Sequence, residues 1–156
     1  GQKDGKCGAV IPIWTTSLME GEDIKIYGDG TQSREFIYID DLVSAYKIII
    51  DKMLSGKELA GEVINIGTGV DVKVHHLAEV MVDKIEGPWI EPKNHDFSYP
   101  IGESKFKQGE IIYGDSRPGE VKRFISNSDK MKSFGWKPKV DLEEGLKKYI
   151  NWRKSL

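Results

Sequence analysis

Asp23-Ile24-Lys25-Ile26-Tyr27-Gly28-Asp29-Gly30-Thr31-Gln32-Ser33-Arg34-Glu35-Phe36-Ile37-Tyr38-Ile39-Asp40-Asp41-Leu42 is the stretch on which the fold turns. Its first five residues alternate polar and apolar, the period of a half-buried strand. Gly28-Asp29-Gly30-Thr31 reads as a tight turn. Glu35 to Ile39 is a second β-rich run. Asp40-Asp41 is then placed to cap a helix. In that helix Leu42, Ala45, Tyr46, Ile49, Ile50 and Met53 fall at i, i+3, i+4, i+7, i+8 and i+11, and Gly56 closes it. Strands and helices succeeding one another at this spacing predict an α/β fold.

Working outward gives more of the same alternation. Ala9 to Met19 reads as a short helix ended by Gly21, with Pro12 tolerated in its first turn. Glu62-Val63-Ile64-Asn65-Ile66-Gly67 is a short apolar run, read as a buried strand entering a Gly-Thr-Gly turn. Val74, Leu77, Met81 and Ile85 mark a helix ended by Gly87-Pro88. Residues 88–120 are rich in Pro, Gly, Asn, Ser and Lys and exceed an ordinary connection in length; Glu110 to Tyr113 is expected to form a strand within them. Lys122 to Ser126 reads as a strand, and Ser128 to Phe134 as a short helix capped by Asn127 or Ser126. Asp141 caps a last helix with Leu142, Leu146, Tyr149 and Ile150 on one face. With no repeat and no linker, residues 1–156 are expected to be one domain containing a long loop or insertion at 88–120.

Composition narrows the classes of function. Of 156 residues, 38% are hydrophobic and 31% charged, the balance of a folded chain rather than a disordered one. A net charge of -2 argues against a broad electrostatic footprint for nucleic acid or anionic membrane. No apolar run approaches the roughly 20 residues that span a bilayer. Cys7 is the single cysteine, so neither an internal disulfide nor a structural zinc site is expected, and a reducing, cytoplasmic setting fits. Gly1 to Lys6 lacks a start methionine and is followed by no apolar segment of a signal peptide. The chain is therefore expected to be a fragment or a separately produced domain.

Few residues point to chemistry on their own. No strand is followed by a Gly-x-Gly-x-x-Gly turn, and no Walker A sequence is present. Gly28-Asp29-Gly30 and Gly67-Thr68-Gly69 read as plain tight turns. His75 and His76 are adjacent, and adjacent residues do not share a helix face, so no metal site is expected. Arg34 follows a glycine turn and Arg117 lies in Ser116-Arg117-Pro118-Gly119-Glu120. Guanidinium groups on such turns suit bidentate capture of a diphosphate; taken alone, they equally suit two solvated surface arginines. Tyr27 and Tyr38 offer flat faces for a base or sugar, or half-buried packing.

The stretch Glu20 to Leu42 as a whole closely resembles the extended short-chain dehydrogenase/reductase family, which includes UDP-glucose 4-epimerases, dTDP-glucose 4,6-dehydratases and UDP-glucuronate decarboxylases. Val10-Ile11-Pro12, Asn65-Ile66-Gly67-Thr68-Gly69 and Arg117-Pro118-Gly119-Glu120 agree in the expected order. So do Asp129-Lys130, Gly135-Trp136-Lys137-Pro138 and Leu142-Glu143-Glu144-Gly145-Leu146. The resemblance implies the C-terminal, substrate-binding portion of such an enzyme, with the last Rossmann strand and helix elements. The N-terminal NAD-binding half, with its glycine-rich turn and catalytic Tyr-x-x-x-Lys, has no counterpart here. It implies Arg34 and Arg117 as the diphosphate grip, and Tyr27 with Lys25 as part of the wall around the base. Val10 would line the nucleotide pocket, Asn65 would lie near the nucleotide, and Glu120 would accept from the ribose hydroxyls. No catalytic residue is expected in this chain, which alone would be inactive and bind no cofactor. The full-length enzyme would use NAD on a nucleotide-diphosphate sugar, as a homodimer. UDP-sugar 4-epimerase is the first reading; a 4,6-dehydratase or decarboxylase is the second, and a non-catalytic sugar-nucleotide-binding module stands outside the enzyme class. A helix over 41–55 and a strand over 62–67 would lack their Rossmann partner, so an apolar patch is expected there, exposed or covered by self-association.

Overall fold

Residues 9–85 and 109–156 are described by the computed structural model of the chain. The elements run α1 (Val10–Met19), β1 (Ile24–Tyr27), β2 (Ser33–Arg34), α2 (Ile39–Leu54), β3 (Val72–Lys73), α3 (Val74–Lys84), β4 (Ile111–Gly114), α4 (Asp129–Ser133) and α5 (Leu142–Lys154). The mixed α/β class follows. Cys7, His95 and most of the 88–120 segment lie outside the described residues. Among the described residues no helix is long and apolar enough to cross a membrane.

The chain divides into two compact units, each built from two separate segments. In the first (Gly1–Asp29 and His75–Pro118), β1 pairs in parallel with β4, Ile24 opposite Ile111 and Tyr27 opposite Gly114. The alternation in β1 does what its pattern demands: Ile24 and Ile26 are buried and Lys25 is exposed. Helix α1 packs on β1 and buries Trp14, Thr15 and Leu18. Leu77, Ala78 and Met81 of α3 are fully buried, with Ile85 just beyond its end. Gly21 stops α1 in the left-handed conformation that glycine adopts without a Cβ penalty.

The second unit (Gly30–Val74 and Gly119–Leu156) is centred on Ala45, Met131 and Trp136, with Ile37, Ile48, Ile49, Ile64, Ile66 and Phe134 packed around them. Strand β2 pairs antiparallel with β3, Arg34 opposite Val72. The Asp141 side chain accepts from the Glu144 amide at 2.8 Å and caps α5 as its sequence position predicts.

Several expectations are corrected here. Glu35–Ile39 is not a strand. Residues 35–38 have no ladder partner and Ile39 already begins α2: Glu35 reaches two loops, Ile37 packs on the core, and Tyr38 is the N-cap of α2. Asp40 and Asp41 are not the cap of α2; they lie in its first turn. Asp41 is buried instead, accepting from the Lys139 and Val140 amides at 3.0 Å. Residues 62–67 are not a fully buried strand. Ile64 and Ile66 pack on the core while Val63 is 80% exposed, and Lys130 ties the run down through Glu62 and the Val63 carbonyl. Lys122–Ser126 makes only a single bridge, Arg123 to Ser33. The cap of α4 is Ser128, although the Asn127 side chain does accept from the Asp129 amide.

Asp41 gathers amides of a segment almost a hundred residues away. Asp41→Ala removes a carboxylate and orphans two N–H groups, a loss of about 2–4 kcal/mol by the usual cost of charged hydrogen bonds. Chemical denaturation at neutral pH measures it; a difference below about 1 kcal/mol would show that water replaces the carboxylate without penalty.

Helix α2 is apolar on two sides. Ala45, Ile48 and Ile49 face the core, whereas Ile39, Val43, Tyr46, Ile50 and Met53 are each more than half exposed. Those five recur at alternating steps of four and three, a continuous stripe along one side of the helix. Tyr46, Ile50 and Met53, which share the helical spacing of Leu42, Ala45 and Ile49, lie on this outer stripe. We expect the 156-residue chain to bind an apolar dye or to sediment above its monomer mass, and Val43→Glu with Ile50→Glu to abolish both. A monomer with little dye binding would show the stripe to be harmless in water.

Candidate functional site

In the first unit, the parallel pairing of β1 and β4 sets the geometry. It brings the end of β4, and with it the turn that carries Arg117, alongside Tyr27. Arg117 Cζ lies 3.8 Å from the Tyr27 ring centroid, a stacked guanidinium. Lys25 Nζ lies 5.2 Å from the same centroid. Two glycines make room. A Cβ on Gly114 would sit 2.2 Å from Lys25 Cε, and one on Gly28 would meet Ser116 Oγ at 3.0 Å, with φ of +80° besides. Lys25, Tyr27 and Arg117 are thus brought together. Val10 is half-buried in the first position of α1.

In the second unit, Arg34 closes the two-residue strand β2. Its Nη1 donates to the Ser33 carbonyl at 2.8 Å and the Val121 carbonyl at 2.6 Å. Its Nη2 faces Glu120 Oε1 at 3.6 Å. Arg34 and Glu120 are therefore joined, with the guanidinium oriented by backbone before any ligand arrives. Asn65 is exposed, on the outward side of the run whose Ile64 and Ile66 pack inward. Tyr38 packs toward α5, 3.5 Å from where a Cβ on Gly145 would be. Arg34 and Arg117 belong to different units.

Sequence reasoning passed over the most connected carboxylate in the second unit. Glu35 accepts from the Gly69 amide, from the Ser126 amide at 2.8 Å and from Thr68 Oγ1 at 3.3 Å. Burial is the largest single influence on its carboxyl and pushes it up. The bonds from Gly69, Ser126 and Thr68 together outweigh burial and hold it below the ordinary glutamate value. Gly67 is what lets the carboxylate in: a Cβ there would lie 2.5 Å from Glu35 Oε1. The one available signal was the glycine pair itself, read as a plain turn. Nearby, Arg123 Nε pairs with Asp71 at 2.9 Å, and bonds from Ser33 and Arg123 lower the Asp71 carboxyl despite some desolvation.

The glycine turns also answer the question of a dinucleotide. Such a cofactor needs a glycine turn opening a helix whose amides are free for phosphate. Gly28–Gly30 leads into β2, and Gly67–Gly69 leads toward β3 with the Gly69 amide already given to Glu35. Neither glycine turn therefore opens a helix as the phosphate-binding turn of a dinucleotide fold does. Nor, among the described residues, do three or more His, Cys, Asp or Glu side chains gather as a metal site. His75 and His76 both reach Glu79, at 3.2 and 3.8 Å, and the Tyr113 hydroxyl meets His75 Nδ1 at 2.6 Å.

Residues 1–67, which carry Val10, Lys25, Tyr27, Arg34 and Asn65, match the model of the NAD dependent epimerase/dehydratase family. That match covers 67 of the 156 residues, and the likeness to individual relatives extends over nearly the whole chain. A putative UDP-glucose 4-epimerase of Methanocaldococcus jannaschii is 31% identical over 151 residues, covering 97% of this chain and 40% of its own. A dTDP-D-glucose 4,6-dehydratase of Bos taurus is 32% identical over 143 residues, covering 92% and 35%. Among solved structures, the UDP-glucose 4-epimerase of Thermotoga maritima with UDP-glucose superposes with a TM-score of 0.71 at 30% identity, covering 97% of this chain and 41% of that one. The chain spans about two-fifths of the length of these epimerase/dehydratase relatives.

Proposed function

We propose that this chain is the part of an NAD-dependent nucleotide-sugar epimerase/dehydratase that holds the sugar nucleotide, with UDP-sugar 4-epimerase as the activity of the whole protein. The observation that carries the reading is Arg34. Its guanidinium is anchored by two backbone carbonyls on one nitrogen and turned toward a carboxylate with the other. A fixed guanidinium recognises a diphosphate bidentately, and Glu120 is the neighbour able to accept from ribose hydroxyls. By the family resemblance alone, Val10, Lys25, Asn65 and Arg117 are taken as further residues that contact the sugar nucleotide. Support for the enzyme class comes from the family match and from the epimerase and dehydratase relatives.

Within that reading, bound NAD supplies the hydride acceptor and donor. The residues of this chain orient the nucleotide and, through it, the sugar. The chain alone would therefore turn over no sugar. The 32% identity to a 4,6-dehydratase favours that activity as the second reading.

Calorimetry of the full-length protein with UDP, dTDP and GDP tests the proposal. Arg34→Ala is expected to weaken the preferred diphosphate by about 10- to 100-fold, the worth of one charged bidentate contact. Turnover of UDP-glucose to UDP-galactose separates epimerase from dehydratase. Binding of none of the three nucleotides by the wild-type protein would sink the proposal.

A further inference from the structure

We propose that Tyr27 is a positioning residue whose ring is the platform that holds Arg117 for the diphosphate. The inference rests on the reading of Arg117 as a diphosphate ligand and adds a different role for Tyr27, which the sequence resemblance assigns to the wall around the base.

Arg117 is exposed and sits in an irregular turn, with no helix or ladder of its own to limit its side chain. A long cation so placed loses much rotamer freedom on binding an anion, which weakens the contact unless something orders it beforehand. The Tyr27 ring does that at 3.8 Å, with the guanidinium centred on the ring. Tyr27 is itself fixed, half-buried at the end of β1 and opposite Gly114 of β4. The approach is built into the backbone: Gly28, at φ +80°, lies against Ser116, the residue before Arg117, and a Cβ there would press on the Ser116 hydroxyl at 3.0 Å. Lys25 crosses bare Gly114 to bring a second cation to the same ring. Two positive side chains held at one aromatic surface repel each other, and an anion with two charged oxygens relieves that repulsion. The guanidinium covers a ring face that a base would need for stacking, so the contribution of Tyr27 runs through the diphosphate.

The test is a double-mutant cycle on the full-length protein, read by calorimetry with UDP and dTDP. Tyr27→Leu is expected to weaken the preferred nucleotide about 3- to 30-fold, as loss of a cation–π contact does. Tyr27→Phe, which keeps the face, should bind within twofold of wild type. In an Arg117→Ala background, Tyr27→Leu should cost less than about twofold more, because nothing is left to position. Arg117→Lys, at an exposed site where folding is not at risk, keeps the charge and loses the planar stack. It should fall to the level of Tyr27→Leu. A loss on Tyr27→Leu that persists in full without Arg117 would overturn the inference and return Tyr27 to the base. Wild-type affinity in Arg117→Lys would also overturn it. Failure of the wild-type protein to bind either nucleotide would instead overturn the functional proposal on which it rests.

Discussion

Trp136→Ala is expected to cost about 3–5 kcal/mol of unfolding free energy, the usual range for truncating a buried tryptophan. Trp136 is 1% exposed and lies at the centre of the second unit against Ala45 and Met131. Its indole N–H donates to the Asp41 carbonyl at 3.1 Å and to Ser44 Oγ at 3.0 Å, so truncation removes packing and hydrogen bonds at once. Domains of this size hold about 5–15 kcal/mol in total, so the variant should lose a large share of its stability. Trp136→Phe separates the two contributions. It fills most of the cavity and loses the hydrogen bonds, and should cost about 1–3 kcal/mol. Urea denaturation followed by circular dichroism decides it; an alanine variant within about 1 kcal/mol of wild type would mean that the unit is not organised around this ring.

The second large effect concerns Glu35. In the folded chain its carboxylate collects donors from Gly69, Thr68 and Ser126, which lowers its pKa below the unfolded value against the opposing push of burial. A carboxyl lowered on folding stabilises the fold fully above its unfolded pKa, about 4.3, and loses that contribution as pH falls through the folded value. Glu35 is only partly buried, so solvent screens these bonds, and wild type should exceed Glu35→Gln in stability at pH 7 by about 0.5–1.5 kcal/mol. The gap should close as the pH drops below the ordinary glutamate range. Gly67→Ala reaches the same point from the other side, since its methyl would occupy the place of the carboxylate. The two substitutions should be far from additive, because each removes the same contacts. Thermal midpoints of the four proteins from pH 7 to pH 3 measure this. A gap between wild type and Glu35→Gln that does not change with pH would show that the charge of Glu35 contributes nothing.

What was legible in the sequence was local. The alternation of β1, the stripe of α5 and the Asp141 cap each depend on residues within a few positions of one another. Each matches its expected place, give or take a residue. Glu35–Ile39 and Glu62–Gly67 misled for a single reason: apolar β-branched and aromatic runs favour extended backbone, and extended backbone becomes a strand only if a partner meets its edge. In the structure both runs spend their side chains on a core and two loops and have no ladder. Asp41 looked like a cap because carboxylates cap helices; the amides it serves come from Lys139 and Val140, which no local pattern could link to it. The candidate site divides in the same way. Arg34 and Arg117 stood out by residue type and by their turns. The stack of Arg117 on Tyr27 joins residues 90 positions apart through the parallel register of β1 and β4, and periodicity carries no information on that.

Each compact unit is stitched from two segments that alternate along the chain. During synthesis the first unit cannot complete itself when Asp29 emerges, because its β1 waits for β4, which comes after the whole of α2 and α3. The second unit has α2 in hand early but must hold Ile37, Ile48 and Ile49 uncovered until Met131 and Trp136 arrive from the ribosome. Neither unit can be cut free at a single bond, and a truncation before Trp136 leaves one core half-built and the other whole. The order of translation thus leaves apolar side chains uncovered for a stretch of synthesis that the finished fold does not reveal.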